Sequence, residues 1–221
     1  MRGLLRKTAK AIRNPNEAIY YIRWRLRRFL VRRVVINGEI HFRYKGQSYP
    51  ESLLLGNRMR DILPKAQEFC RGKGIDVGAG RWVFPNAIPI ENEAYQNAYQ
   101  LEAFPDGSLD FVFSSHCLEH LDRWQEALRL WIRKLKQGGI LFLYLPHETM
   151  ALWRRGSPLV SSAHKWVPTW QVLNLFLEQC GMEILEYNSS RDGAWSFHIA
   201  ARKNGPIPKT RPQSLASRCR V

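Results

Sequence analysis

The sequence predicts an α/β chain: a doubly wound, mostly parallel sheet with a C-terminal antiparallel strand pair, preceded by an N-terminal helical extension. Two observations predict it. The stretch Gly74-Ile75-Asp76-Val77-Gly78-Ala79-Gly80 is a short apolar run ending in an acid and two glycines. Ile75 and Val77 favour a strand, and Gly78 and Gly80 permit φ > 0 with no Cβ in the way of a ligand. Further on, Leu109-Asp110-Phe111-Val112-Phe113 and Ile140-Leu141-Phe142-Leu143-Tyr144-Leu145 are apolar runs of the kind that parallel sheets bury on both faces. Such sheets hold ligands at the carboxyl ends of their strands.

Charge divides the chain. Of the net +15, residues 1–33 carry +10 and residues 202–221 carry +6, which leaves 34–201 at −1. A neutral body with basic ends disfavours nucleic acid as the partner, because basic tails alone give only sequence-independent attraction to phosphate. Cys70, Cys117, Cys180 and Cys219 are widely separated. That spacing suits neither a zinc site nor a disulfide framework and points to a reducing cytoplasm. No apolar run approaches the ~20 residues of a membrane span, and no signal-type apolar core follows the basic start.

The predicted organisation is a basic helical extension over 1–37, a strand or hairpin and lead-in helix over 38–69, the main domain over 70–203 and a basic disordered tail over 204–221. Within the extension, Ile19, Ile22, Leu26, Phe29 and Leu30 recur at helical spacing, with Arg25, Arg28 and Arg32 opposite. Such a helix suits either the surface of an anionic membrane or packing against the body. Residues 38–46 alternate as a hairpin does, and 51–69 read as a helix with Pro64 inside. After Gly80 the chain reaches Glu91 through Pro85 and Pro89 with little room for a helix, so a ligand would meet a loop where a helix N-terminus usually sits.

Pro105-Asp106-Gly107-Ser108 is a turn, and Ser114-Ser115-His116-Cys117 is the exit of the next strand. Asp122 is positioned to cap a helix with the stripe Trp124, Ala127, Leu128, Trp131, Ile132 and Leu135, which Gly138-Gly139 would end. Residues 148–167 form a long loop rich in Trp, Arg and His, a length usually reserved for function. A helix over about 169–180 and strands over 182–187 and 194–201 follow.

The chain resembles the class I S-adenosylmethionine-dependent methyltransferases over roughly residues 70–202. Besides the glycine turn, the resemblance rests on Phe104 to Leu121, FPDGSLDFVFSSHCLEHL, and on Leu135 to Leu141, LKQGGIL. The short link to Glu91 is similar to a bacterial subgroup of type 11 methyltransferases associated with cell-surface polysaccharide synthesis. The resemblance implies a Rossmann-like fold and S-adenosyl-L-methionine as cofactor. It implies that Gly78, Ala79 and Gly80 let the backbone approach the methionine end, with Asp76 beneath. Glu91 would accept the ribose hydroxyls, Asn97 and Ala98 would contact the adenine, and Ser115 would complete the site. An extra residue between Leu101 and Phe104 shifts the register of the adenine pair.

The implied function is methyl transfer, by in-line O-methylation, to a small or glycan-type acceptor. A hydroxyl acceptor needs a general base. His147, after the strand ending at Leu145, is the first candidate and His116 the second, with His164 and Asp192 on segments able to close over the site. His116 and His120 are four apart as helical metal ligands can be, but no third ligand is evident and no metal is expected. The competing readings are a non-catalytic cofactor-binding interaction module and an RNA or DNA methyltransferase. The expected location is the cytoplasm, with peripheral contact to the inner face of the membrane through the extension.

Overall fold

The structure, a computed structural model, describes residues 31–51, 53, 58–80, 82–90, 96–154, 157 and 164–204. The basic helix expected from Glu17, the acid Glu91 and the tail beyond Asn204 lie outside the described residues.

Three short strands come first: β1 (Arg32–Ile36), β2 (Glu39–Tyr44) and β3 (Gln47–Pro50), which form an antiparallel sheet in that order. Asn37-Gly38 and Lys45-Gly46 make its two turns, all four residues at positive φ, the signature of two-residue hairpins. Residues 32–36, grouped with the helical extension in the sequence reading, are therefore a strand. Helix α1 follows at Met59–Phe69 and buries Met59, Ile62 and Ala66. It starts later than expected; Leu53 is buried ahead of it.

The main sheet holds β4 (Gly74–Val77), β5 (Ala87–Ile90), β6 (Leu109–Ser115), β7 (Leu135–Pro146), β8 (Met182–Tyr187) and β9 (Ser196–Lys203), in the order β5-β4-β6-β7-β9-β8. The first four are parallel, and β9 runs antiparallel between β7 and β8. This is the predicted fold class: a mostly parallel Rossmann-like sheet closed by an antiparallel pair. The chain steps from β4 outward to β5 and returns to β6 on the other side, so the strand order reverses between β4 and β6. Ligands bind at such a switch point.

Strand alternation separates two cores. One face of β6 and β7 presents Val112, Leu141, Leu143 and Leu145 to helices α2 (Trp124–Lys134) and α3 (Trp170–Gln179), through Leu128, Trp131, Leu173 and Leu177. The other presents Phe111, Phe113, Phe142 and Tyr144 to α1 and to Phe42 and Tyr49 of the small sheet. Phe84 lies on Phe113 with centroids 4.5 Å apart, and Phe113 on Phe142 at 5.8 Å. The helical side is mostly aliphatic where it meets β6 and β7, and the other side is a layer of rings.

Two details differ from the sequence reading. Helix α2 ends at Lys134, and Leu135 already belongs to β7. The pairing passes from Leu109 with Leu135 to Phe111 with Ile140, so Gly138 and Gly139 sit in a bulge of the strand and do not terminate the helix. Asp122 does not cap α2; its Oδ1 accepts from Tyr99 Oη at 3.0 Å and from Arg123 N at 2.9 Å. Helix α3 does carry a side-chain cap, Thr169 Oγ1 accepting from Val172 N at 3.3 Å.

The motif Pro105–Asp110 is structural. Gly107 N and Ser108 N donate to Arg133 O and Lys134 O at 3.1 and 2.9 Å, which satisfies the last carbonyls of α2. Asp106 pairs with Lys134 at 2.7 Å, and Asp110 binds Lys136 Nζ and Lys73 N, each at 2.8 Å. These contacts hold both aspartates below the usual carboxylate range, chiefly through their lysine partners.

Gly74 opens β4 beneath the Phe111 ring, where an added Cβ would sit 2.4 Å from three ring carbons. Gly74→Ala should therefore destabilise the domain by about 1–3 kcal/mol, the usual cost of overpacking, read as a lower urea midpoint with unchanged slope. A midpoint equal to the parent's would contradict this packing.

Candidate functional site

The carboxyl ends of β4 and β6 meet at one edge of the sheet. β4 runs into Gly78 and Gly80, both left-handed at φ 83° and 57°. Gly78 N donates to Ile90 O at 3.0 Å, and Ser114 Oγ donates to Val77 O at 2.9 Å. The turn is thus fixed to the strands on both sides.

The two glycines have different reasons to be glycine. A Cβ on Gly78 would lie 2.5 Å from Cys117 Cβ and 2.8 Å from its Sγ. Gly78 is required by packing against the exit of β6, where the sequence suggested only ligand approach. Above Gly80 the nearest atom to an added Cβ is a main-chain oxygen at 3.9 Å, so that side of the turn is open. Asp76 is fully buried, and its Oδ2 accepts from Phe84 N at 2.8 Å. The acid therefore ties the loop after the glycine turn back beneath it. Residues 78–86 hold no helix among those described, as the short link implied. A buried carboxylate under an open glycine turn suits a ligand bearing a positive charge and no phosphate.

The remaining predicted cofactor residues divide. Asn97 is exposed on the 3₁₀ turn Gln96–Tyr99, while Ala98 is buried and its carbonyl accepts from Trp131 Nε1 at 2.8 Å. Tyr99 Oη accepts from Arg123 N at 3.2 Å, so the turn is clamped to the start of α2. Ala79 and Ser115 are buried.

The two histidines predicted as bases also divide. His147 follows β7, with its ring between two loops: Nδ1 accepts from Thr149 N at 3.2 Å and meets Thr149 Oγ1 at 2.8 Å, while Nε2 meets Ser189 O at 3.1 Å. Because Nδ1 accepts, Nε2 carries the proton and donates to the carbonyl. Both nitrogens are committed to holding the loop. His116 stands at the exit of β6 at φ 50°, its N donating to Tyr144 O at 2.8 Å. Its Nε2 is 2.9 Å from Ser196 Oγ, and its Nδ1 is 3.5 Å from Glu119 Oε1. Asp192 orders the same region: Oδ2 accepts from Tyr144 Oη at 2.6 Å, and Oδ1 accepts from Ala194 N and Ser196 N.

Glu119 was passed over in the sequence. It sits in the 3₁₀ turn Leu118–His120, fully buried, with His116, His120 and His164 around it. Burial alone would raise its pKa, but the three imidazoles together hold it well below the usual carboxylate range. The available signal was an acid beside His120 and three positions after His116. His164 comes from the long loop, tied down by Lys165 N donating to Glu119 O at 2.8 Å and Trp166 Nε1 to Leu118 O at 2.9 Å. A pocket beside this cluster is lined by His147, Glu148, Met150, Arg154, His164 and Trp166, among others.

Comparison with known proteins agrees with this geometry. Residues 61–143 match the family model of a methyltransferase domain. A chain of the Haloferax volcanii complex between the Trm112 methyltransferase activator and a methyltransferase is similar in structure, at 13% identity and a TM-score of 0.51, over 67% of this chain and 92% of that one. An S-adenosylmethionine-dependent methyltransferase from Thermotoga maritima is similar at 14% identity and 0.51, over 69% and 92%. A Burkholderia thailandensis 1,6-didemethyltoxoflavin-N1-methyltransferase, solved with its substrate and S-adenosylhomocysteine, is similar at 15% identity and 0.48, over 66% and 78%. No curated protein sequence matches.

A doubly wound sheet with an open glycine turn over a buried acid at its switch point is the arrangement in which such folds hold a ligand. With the methyltransferase-domain match over residues 61–143, from α1 into β7, the chain has the fold and the glycine turn of the class I S-adenosylmethionine-dependent methyltransferases, and S-adenosylmethionine is the cofactor that the match supports.

Gly80→Ala tests the turn apart from the packing. The open space accepts the methyl group, and the left-handed backbone costs about 1–2 kcal/mol, so the domain should stay folded. Affinity for S-adenosylmethionine by isothermal titration should fall at least tenfold; parent affinity in a folded variant would remove Gly80 from the site.

Proposed function

We propose that the chain transfers a methyl group to a hydroxyl of a small or glycan-type acceptor held in the pocket between His147, Arg154 and Trp166. The observation that carries this reading is His116: an imidazole at the exit of β6 with Glu119 Oε1 3.5 Å from Nδ1 and Ser196 Oγ 2.9 Å from Nε2, so that an acceptor hydroxyl taking the place of Ser196 Oγ would meet that nitrogen. When bound, S-adenosylmethionine supplies an electrophilic methyl carbon on sulfur. As the acceptor hydroxyl takes up that methyl group, its proton would pass to His116 Nε2. Glu119, 3.5 Å from Nδ1, orients the ring. Arg154 and Glu148 offer polar contacts and Trp166 a flat apolar one, a mixture suited to a hydroxylated acceptor. Arg154 Nε donates to Glu148 O at 3.0 Å, which shapes that wall. The chain's other contribution is alignment and exclusion of water. The cofactor roles of Asp76, Gly78, Ala79, Gly80, Glu91, Asn97, Ala98 and Ser115 belong to this reading.

Two substitutions separate the histidines. His116→Ala should leave cofactor affinity near the parent's and lower turnover about 10²–10⁴-fold, the usual worth of a positioned base. His147→Ala should mainly loosen the loop after β7, raising the KM for acceptor more than it lowers kcat. If His147→Ala instead abolishes kcat and His116→Ala does not, His147 is the base. If neither matters, the acceptor needs no base.

We propose further that the basic segment before β1 holds the enzyme at an anionic membrane surface. Its arginines would each contribute about 1 kcal/mol near such a surface, fading within a Debye length. Val31 is buried and β1 begins at Arg32, so residues 1–30 can be removed without cutting the small sheet. That shortened chain should bind cofactor but no longer sediment with anionic vesicles, whereas the full chain should sediment at low salt and be released at high salt. Loss of folding on removal, with no vesicle binding by the full chain, would make the segment a packing element.

A further inference from the structure

We infer that Glu119, His120 and His164 form a binding site for a divalent first-row transition-metal ion, such as Zn²⁺ or Co²⁺, on the acceptor side of the domain. One carboxylate oxygen and one nitrogen from each imidazole all lie within 4.8 Å of one another. Tetrahedral ligands at about 2.1 Å from an ion stand roughly 3.4 Å apart, so the atoms need close by only about 1.4 Å. Two imidazoles and a carboxylate are a donor set for such ions, and three protein ligands leave a position open.

Three independent features support the assignment. The first is electrostatic. Glu119 is fully buried, and neither carboxylate oxygen has a hydrogen bond of normal geometry. Its ion pairs are with imidazoles, at 3.5 Å to His116 Nδ1 and 3.9 Å to His120 Nε2. A buried carboxylate needs a close positive charge and full coordination of its oxygens, and an ion among these three groups supplies both. The second is assembly. His164 is far away in sequence, yet the Lys165 N–Glu119 O and Trp166 Nε1–Leu118 O bonds fix its segment to the turn that carries the other two ligands. The His120 and His164 rings already meet edge to face with centroids 4.5 Å apart. The third is access. His164 also lines the pocket beside His147 and Arg154, so the open position has a route to solvent and to an acceptor oxygen. His116, next to Glu119, lies in the shell that orients ligating groups. The inference does not depend on the reaction proposed above, since an ion bound here is measured without any acceptor.

The test is metal content and spectroscopy on the full chain, with no activity assay. Purified protein exposed to Co²⁺ and then desalted should retain about one ion per chain and show the visible absorption of low-coordinate cobalt. Excess Co²⁺ should raise the melting temperature by roughly 5–10 °C if the ion binds well below the concentration used. His120→Ala and His164→Ala should each lose the absorption and the shift, while His41→Asn, in β2, should keep both. Glu119→Gln removes the charge at nearly the same shape and should behave as the histidine variants do. If it fails to fold, the two histidine variants still decide. Folded parent protein that retains no cobalt and shows no melting shift would overturn the site, as would cobalt binding that survives both histidine substitutions.

Discussion

The rest of the structure depends on how closely β4 must approach its neighbours. The strand is buried along its whole length, with a ring of β6 lying on its first residue and Cys117 filling the space beside the residue that follows it. Neither Gly74 nor Gly78 can carry a side chain. This tight fit draws β4 and β6 together at the point where the strand order reverses, and it orients the exit of each strand. The main chain of the glycine turn can then face outward only at Gly80. Asp76 completes the arrangement from below by holding Phe84, whose ring also stacks on Phe113. One buried acid therefore links the ligand-facing turn to the aromatic layer on one side of the sheet.

That layer explains the small N-terminal sheet. Two faces of a parallel sheet need cover. Helices α2 and α3 cover one, but the chain from β4 to β5 is too short to supply a helix to the other. Phe42, Tyr49, α1 and Trp195 fill that place. Tyr49 meets Trp195 with centroids 4.5 Å apart, which joins the small sheet to the start of β9. The segment ahead of the main domain is thus part of its core.

Much of the fold was legible because its signals are local. Apolar runs, glycine turns and the Asp106–Asp110 motif each name an element, and their order implies the sheet. Helix α3 falls within the span of about 169–180 that the sequence predicts. The failures occur where the decisive partner is distant. Leu135 continues the stripe of α2 in sequence, but it pairs with Leu109 and so starts a strand. Arg32 and Arg33 continue a basic helix in sequence, but β2 captures them. At the site, the glycine turn and both candidate histidines were legible, while their roles were not. Nothing local says that Gly78 answers to Cys117, that His147 is occupied at both nitrogens, or that His164 returns to Glu119. An acid in the run Leu118-Glu119-His120 looks like surface until the fold buries it.

The clamp on His164 has a consequence for motion. Lys165 N–H is bonded to the carbonyl of the very residue whose carboxylate lies at the centre of the cluster, and Trp166 is pinned by its indole while stacking on Trp124 at 4.5 Å. The wall of the pocket lined by His164 and Trp166 cannot swing away without breaking these contacts together. Any opening of that wall would expose the Lys165 amide to solvent at the same moment. Amide exchange at that one position would then measure how often the wall opens.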